Sequence, residues 1–271
     1  MFGLSHLRQA WYLTRRYGAL TSHPWKALSF FLLGSRRPDR TLDFSWDGQP
    51  LVFRWRDWGC VEEIVGSDEY GFTRELLTGT ASPLVVDLGA NIGLFSLHIF
   101  RHAPQAEVHA AEASAETFRV LERNRALQPQ RRWRTYHVAV WKEDGTVPFL
   151  DLPASTSSHI SFTPAAATTV PAQSLPSLLE RMVGPRTVDL LKMDIEGTEL
   201  AVLPASASSL TRVRHLLVEL HTNVGPIHDS VTALRQAFPH LYRIPGRRSQ
   251  KPLVLATRDP QALPTFSTDD A

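Results

Sequence analysis

The stretch LVVDLGANIGLFSL at 84–97 constrains the fold of this chain more than any other part of the sequence. A β-branched run ends in the acid Asp87, a turn with two glycines follows, and apolar residues then recur at helical spacing. Strand, glycine turn and helix N-terminus in this order form the nucleotide-binding corner of a doubly wound, mostly parallel α/β sheet. The stretch therefore predicts an α/β protein with a ligand site at this turn.

The residues of the turn discriminate between classes of ligand. A dinucleotide-binding turn has a second glycine two residues after the first, so that the backbone can approach a pyrophosphate. Asn91 occupies that position here. S-adenosylmethionine has no phosphate and carries a positive sulfonium, which suits the acid at the end of the strand. The turn therefore favours S-adenosylmethionine over a nicotinamide dinucleotide, with binding residues predicted at Asp87, Gly89, Ala90, Asn91 and Gly93.

A second acid completes the predicted cofactor site. Glu112 ends a strand-like run at 107–112, and an acid about 20 residues past the glycines typically binds ribose hydroxyls. Strand-like and helical segments continue to alternate after it, as in an α/β sheet. The last two strand-like segments, 241–244 and 252–257, predict a closing antiparallel pair.

Polar residues follow two later predicted strands, at the edge where an open α/β sheet binds its ligands. They are Asp194, Glu219 and His221. We expect His221 to act as the general base, because an unperturbed imidazole has a pKa near 6.5, with Asp194 orienting the acceptor and Glu219 positioning the ring. Alternatively, the three side chains hold a divalent cation that orients the acceptor.

Three motifs together resemble the FkbM-type family of S-adenosylmethionine-dependent methyltransferases. They are DLGANIG at 87–93, LKMDIEG at 191–197 and VELH at 218–221, and the resemblance extends over about 70–257. It implies a Rossmann-like methyltransferase sheet and O-methylation of a hydroxyl on a sugar, glycolipid or polyketide-like acceptor. The competing hypotheses are a nicotinamide-dependent oxidoreductase and a non-catalytic module that binds a cofactor or a membrane.

The chain divides into a domain at 70–257, an extension at 1–69 and a loose tail at 258–271. Residues 1–37 contain amphipathic, basic segments, which predict either helices packed on the domain or a segment lying on a membrane surface such as the inner membrane. The Asp47-Gly48 pair between two alternating apolar runs predicts a β-hairpin.

Other segments carry weaker signals. We expect one helix at 60–78, one strand at 134–141 and a long polar loop at 150–169, which is either a lid or an insertion without a role.

Composition limits the partners and the compartment. The formal net charge of +2 at pH 7 is too small to indicate nucleic-acid binding. A single cysteine, Cys60, rules out an internal disulfide and fits a reducing compartment such as the cytoplasm. The family resemblance implies a small-molecule or glycan acceptor, and the sequence leaves the oligomeric state open.

Overall fold

A computed structural model describes residues 4–21, 24–152, 159–161, 168–245 and 251–260 of the 271-residue chain. The helices of these residues are, in chain order, α1 (Leu4–Tyr17), α2 (Pro24–Leu33), α3 (Trp58–Cys60), α4 (Thr73–Leu76), α5 (Leu94–His102), α6 (Ala115–Ala126), α7 (Leu175–Val183), α8 (Glu199–Ala205) and α9 (His228–Ala237). The strands are β1 (Thr41–Trp46), β2 (Gln49–Arg54), β3 (Leu84–Leu88), β4 (Glu107–Glu112), β5 (Arg132–His137), β6 (Ala139–Trp141), β7 (Gly145–Leu150), β8 (His159–Ile160), β9 (Thr168–Ser174), β10 (Val188–Met193), β11 (Val213–Glu219), β12 (His240–Arg243) and β13 (Leu253–Thr257).

The central sheet has seven strands in the described part of the chain, in the order β12-β13-β11-β10-β3-β4-β5. The five strands from β11 to β5 are parallel, whereas β13 pairs antiparallel with both β11 and β12. All five residues of β3 are buried, as expected for a parallel strand with helices on both faces of the sheet. The predicted doubly wound α/β sheet with a closing antiparallel pair is confirmed.

The strand register brings the predicted site residues to one edge of the sheet. Lys192 of β10 lies beside Asp87 of β3, and Asp87 lies beside Ala110 of β4. The backbone N–H groups of Gly89 and Ala90 both donate to the carbonyl oxygen of Ala111, which ties the turn after β3 to the end of β4. The carboxyl ends of β3, β4, β10 and β11 therefore surround one site.

A second, smaller sheet with the order β6-β9-β7-β8 departs from the prediction. The single strand expected at 134–141 is two strands in different sheets, β5 and β6, which meet at Val138. In the segment predicted as a loop at 150–169, the first residue belongs to β7 and the last two belong to β9. The segment also contains β8, while its parts at 153–158 and 162–167 lie outside the described residues. In β7 and β9 only two alternate residues of each strand are buried, so these strands lack the apolar runs that mark the central strands.

The single helix predicted at 60–78 is also wrong. After α3 the chain makes a π-helical turn at Val61–Gly66, continues through irregular turns and forms the short α4. Asp68 has a φ of 49°, a left-handed conformation that a right-handed helix cannot contain. The break brings residues 63–70 towards the edge of the central sheet.

Within the N-terminal extension, α2 packs on the hairpin and on α3. Rings of α2 pack edge-to-face on rings that follow β1, with centroid distances of 5.4 Å from Phe30 to Phe53 and 4.8 Å from Phe31 to Trp58. These side chains share one hydrophobic cluster with Phe95 of α5. Burying each such ring contributes roughly 1.5–3 kcal/mol to the free energy of unfolding, so the contact between these rings holds α2 in place.

The predicted hairpin is confirmed between β1 and β2. Asp47 and Gly48 have φ angles of 48° and 83°, which the mirror-image turns of tight hairpins require. Among the described residues, none of the helices combines the length and the apolar composition that crossing a membrane requires.

Candidate active site

A cavity of about 730 Å³ lies at the carboxyl edge of the central sheet. The turn after β3 and Glu112 line it on the β3–β4 side, and the turn after β10 and Glu219, the last residue of β11, line it on the β10–β11 side. Side chains from the π-helical turn, α5 and the small sheet complete the wall. Described residues that line the cavity include Glu63, Tyr70, Gly89, Ala90, Asn91, Phe95, Glu112, Phe149, His159, Ile160, Lys192, Asp194, Glu196, Glu219 and Lys251.

The two glycines of the turn are required by protein packing. Gly89 has a φ of 73°, and a Cβ atom there would lie 1.8 Å from the backbone oxygen of Asp194. Gly93 has a φ of 90°, and its Cβ would lie 2.6–2.8 Å from atoms of Trp133 and Leu121. The two glycines therefore let the turn pack against the residue after β10 and against α6, and Gly89 also lines the cavity.

Glu112 and Asn91 shape the part of the cavity predicted to bind the cofactor. The backbone N–H of Asn91 donates to Glu112 Oε2 at 2.9 Å, and the N–H of Ser114 donates to Oε1 at 2.8 Å. Burial raises the pKa of Glu112 to about 7, although these hydrogen bonds favour its charged form. Asn91 itself has a φ of 50°, and its Oδ1 accepts from the N–H of Ile92 at 2.8 Å.

Asp87 lies behind the cavity and is fully buried. One of its oxygens accepts from Ser96 Oγ at 2.8 Å, and the other lies 3.6 Å from Lys192 Nζ. Among the residues predicted to bind the cofactor, Gly89, Ala90, Asn91 and Glu112 line the cavity. Asp87 and Gly93 support those residues from behind.

Lys192 joins the two sides of the cavity, and sequence reasoning gave it no role. Its Nζ donates to the carbonyl oxygen of Gly89 at 2.8 Å and lies 3.7 Å from Asp194 Oδ2. Burial alone would lower the pKa of Lys192, but the nearby charges of Asp194 and Asp87 outweigh burial and raise it. The sequence signal that could have identified Lys192 is its position as a lone lysine in the otherwise apolar run LLKM, because a buried cation needs acidic partners.

Asp194, Glu219 and His221 come together as the sequence predicted. Each offers a ligand atom that lies within 4.8 Å of those of the other two. The His221 ring is enclosed, however, with Nδ1 3.2 Å from Glu199 Oε1 and Nε2 3.1 Å from Glu196 Oε2.

The charge of His221 differs from the expectation. Burial alone would lower its pKa, but hydrogen bonds with Glu196 and Glu199 outweigh burial and raise the pKa to about 10. The predicted pKa near 6.5 is therefore corrected, because an imidazolium at neutral pH has no lone pair with which to accept a proton.

Lys251 is a further cation that sequence reasoning missed. Its Nζ lies 3.3 Å from Glu196 Oε2 and 3.6 Å from Glu219 Oε1. Lys251 precedes β13 by two residues in a polar stretch without periodicity, so no pattern in the sequence placed it at the site.

Asp194 differs from the other carboxylates of this cluster. Its side chain is 26% exposed and lines the cavity, and its Oδ1 has no hydrogen-bond partner among the described residues. Oδ1 is itself buried, so a ligand in the cavity would reach Asp194 through the exposed remainder of its side chain.

The same cluster is the predicted site of a divalent cation. Two carboxylates and an imidazole suit such an ion, but here each carboxylate already has a cationic neighbour: Lys192 for Asp194 and Lys251 for Glu219. The imidazole of His221 carries a proton on the nitrogens that would bind the ion. A metal ion would have to displace both a lysine and a proton, so the residues as arranged fit it poorly.

Comparisons with known proteins agree with this architecture. The methyltransferase FkbM domain model matches residues 87–243. The methyltransferase sdnD of Sordaria araneosa is 30% identical over 187 residues, which cover 57% of this chain and 72% of that protein. The hexuronic acid methyltransferase AglP of Haloferax volcanii is 27% identical over 140 residues, which cover 52% of this chain and 56% of that protein.

A solved structure shares the fold. The SAM-dependent methyltransferase from Agrobacterium tumefaciens superposes with a TM-score of 0.50 and 14% identity, over 81% of this chain and 70% of that one. The family model covers more than half of the chain, including the turn after β3 and the acids after β10 and β11. This chain therefore belongs to the FkbM family of methyltransferases.

Proposed function

We propose that this chain transfers a methyl group from S-adenosylmethionine to a hydroxyl of a sugar, glycolipid or polyketide-like acceptor. The observation that carries the proposal is the shared cavity, which is lined by Glu112, by the turn after β3 and by Asp194. Because the chain belongs to a methyltransferase family, methyl transfer is favoured over the hypothesis of a nicotinamide-dependent oxidoreductase. The activity named for the relative from Haloferax volcanii supports an acceptor of the sugar class.

The residues on one side of the cavity fit the donor. Each oxygen of the Glu112 carboxylate accepts one backbone N–H and keeps lone pairs with which to accept ribose hydroxyls. The volume of about 730 Å³ lies within the range of small-molecule pockets, roughly 300–1,000 Å³. The acidic side chains across the cavity suit the positive charge of a sulfonium.

The residues on the other side fit an acceptor hydroxyl. Bound S-adenosylmethionine supplies an electrophilic methyl carbon. The Asp194 carboxylate accepts the hydrogen bond of the acceptor hydroxyl and then takes its proton, because a carboxylate within hydrogen-bond reach can act as the general base. Lys192 Nζ lies 3.7 Å from Asp194 Oδ2 and holds the carboxylate in place.

His221 acts as a positioning residue in this proposal. As an imidazolium it holds Glu196 and Glu199, and its Nε2 lies 3.5 Å from Glu219 Oε1. Lys251 binds two of the same carboxylates from the cavity side. No step passes through a divalent cation, because these cations already compensate the carboxylates that would bind it.

The experiment measures donor binding and methyl transfer separately. Calorimetry gives the affinity for S-adenosylmethionine and its demethylated product, and radiolabelled donor identifies which sugars, glycolipids or polyketides become labelled. Asp194→Asn should lower turnover by roughly a hundredfold or more while donor affinity changes little. The exposed Asp229→Asn is the matched control and should behave as the parent protein.

Two outcomes contradict the proposal. Normal turnover of Asp194→Asn on the true acceptor shows that another group takes the proton. Donor binding without label transfer to any acceptor of these classes supports the non-catalytic hypothesis instead.

A further inference from the structure

The outer faces of α1 and α2 carry large apolar side chains that are exposed to solvent. Trp11, Tyr12 and Trp25 are 59%, 55% and 66% exposed. Five of the large hydrophobic residues exposed in the described part of the chain belong to these two helices, and only Leu127 and Val224 lie elsewhere. Clustered exposure of this kind marks an interaction surface, whereas single exposed residues need no explanation.

This surface is strongly basic. Residues 1–37 contain six Lys and Arg but none of the 27 Asp and Glu of the chain. The remaining residues contain 23 Lys and Arg against 27 Asp and Glu, so the positive charge is concentrated at one end of the sequence. Four of the six basic residues of 1–37, Arg8, Arg15, Arg16 and Lys26, belong to α1 and α2, the helices that carry the exposed aromatic residues.

Each exposed tryptophan has a cation beside its ring. The guanidinium of Arg15 lies 5.5 Å from the ring centre of Trp11, and Lys26 Nζ lies 5.9 Å from that of Trp25. Paired aromatic and basic side chains suit a bilayer interface, where the ring lies at headgroup level and the cation contacts phosphate.

The two helices form one layer with a fixed inner face. Tyr17 of α1 and Phe31 of α2 both pack edge-to-face on Trp58, at centroid distances of 4.9 and 4.8 Å. Both side chains are buried, so the helices cannot turn their exposed residues inward without losing this core.

We infer that the outer face of α1 and α2 docks on an anionic phospholipid bilayer. We define this docking face by its apolar and basic residues Leu7, Arg8, Trp11, Tyr12, Arg15, Trp25, Lys26 and Leu28. The apolar residues enter the interface, and the basic residues attract the anionic headgroups. A second copy of the chain is a poorer partner, because it would present the same positive charge.

Docking would place the bilayer near the cavity. Arg16 at the end of α1 donates a hydrogen bond to the carbonyl oxygen of Gly66 at 3.1 Å. Gly66 ends the π-helical turn, in which Glu63 and Ile64 line the cavity. The helix that binds the membrane thus contacts a segment of the cavity wall, although the inference does not depend on the proposed methyl transfer.

The test measures cosedimentation of the full chain with phosphatidylcholine vesicles with and without phosphatidylglycerol. We expect binding to the anionic vesicles that high salt weakens, and little binding to the neutral ones. Arg8→Gln with Arg15→Gln should reduce partitioning roughly 30-fold, because each basic residue near an anionic surface adds to the attraction. Trp11→Ser with Trp25→Ser should reduce it roughly tenfold or more.

The matched control is Arg119→Gln with Leu127→Ser, which removes an exposed arginine of α6 and the exposed leucine that follows α6, and it should leave partitioning unchanged. All substituted side chains are exposed, and thermal unfolding of each variant checks that the fold is retained. Equal sedimentation with neutral and anionic vesicles, or helix variants that bind as the parent does, overturns the inference. The inference is also overturned if the parent protein does not sediment with either kind of vesicle and instead forms a dimer that the tryptophan substitutions dissociate.

Discussion

The contact between the turn after β3 and the turn after β10 predicts an unusually large effect of one added carbon atom. In Gly89→Ala the new Cβ would lie 1.8 Å from the backbone oxygen of Asp194, whereas real Cβ atoms essentially never approach another heavy atom within 3.0 Å. That oxygen belongs to backbone, so it cannot move aside as the end of a flexible side chain can. The two turns must separate to admit the methyl group.

A second glycine provides the matched control. Gly79 has a φ of 84°, close to the 73° of Gly89, but a Cβ atom there would meet nothing within 4 Å. Gly79→Ala therefore carries only the left-handed backbone cost of roughly 1–2 kcal/mol, reduced by about 0.4–1 kcal/mol through the lower entropy of the unfolded chain. Gly89→Ala adds the steric cost of overpacking, roughly 1–3 kcal/mol.

Urea unfolding of the parent and both variants measures the difference. We expect the free energy of unfolding to fall by about 1 kcal/mol in Gly79→Ala and by about 3 kcal/mol in Gly89→Ala, with similar dependence on urea concentration. Equal losses in the two variants would refute the close approach of the two turns. A glycine that only makes room for a ligand would instead leave the stability of the free protein close to that of the control.

Three further predictions concern charged groups. Hydrogen bonding to Arg186 lowers the pKa of Glu107 to about 2, so its stabilisation is present above pH 4.5 and lost as the pH falls through about 2. Glu107→Gln should therefore lower the free energy of unfolding by about 2 kcal/mol at neutral pH, a value below the full pKa shift because solvent screens the half-exposed Arg186. In unfolding measurements at several pH values, the stability of this variant should fall less at acid pH than that of the parent protein. In Glu112→Gln an amide N–H₂ faces a backbone N–H, such as that of Asn91, which then loses its hydrogen-bond acceptor. We expect this variant to lower the affinity for S-adenosylmethionine roughly tenfold or more, as measured by calorimetry. Because burial raises the pKa of Glu112 to about 7, donor affinity of the parent should rise as the pH increases through that value; a flat profile would contradict the ribose role. Treatment with a chelator should leave methyl transfer unchanged, whereas activity that is lost and then restored by a divalent ion would establish the metal site.

The central sheet and much of the site were predictable from the sequence because their signals are local. Buried parallel strands are continuous apolar runs, and each polar residue that ends such a run marks the ligand edge of the sheet. Thus Glu112 and Asp194 were found from position alone, and both line the cavity.

What the sequence missed depends on contacts between distant segments. The charge of His221 is set by Glu196 and Glu199, which approach it only when the ends of β10 and β11 meet. Lys251 reaches the site through the antiparallel pairing of β13 with β11, and no periodic pattern surrounds it. The strands of the small sheet were missed because few of their side chains are buried.

Lys192 gives a physical reason why the motifs around Asp87 and Asp194 occur together in one chain. Neighbouring strand ends bring the two carboxylates to the same buried ammonium, at 3.6 and 3.7 Å. Breaking such a buried network by removing one partner typically costs about 3–5 kcal/mol, because it leaves an uncompensated charge away from water. The same ammonium donates to the carbonyl oxygen of Gly89, so it also fixes the turn beside which the donor is proposed to bind. One buried lysine therefore holds the donor side and the acceptor side of the cavity in a single arrangement.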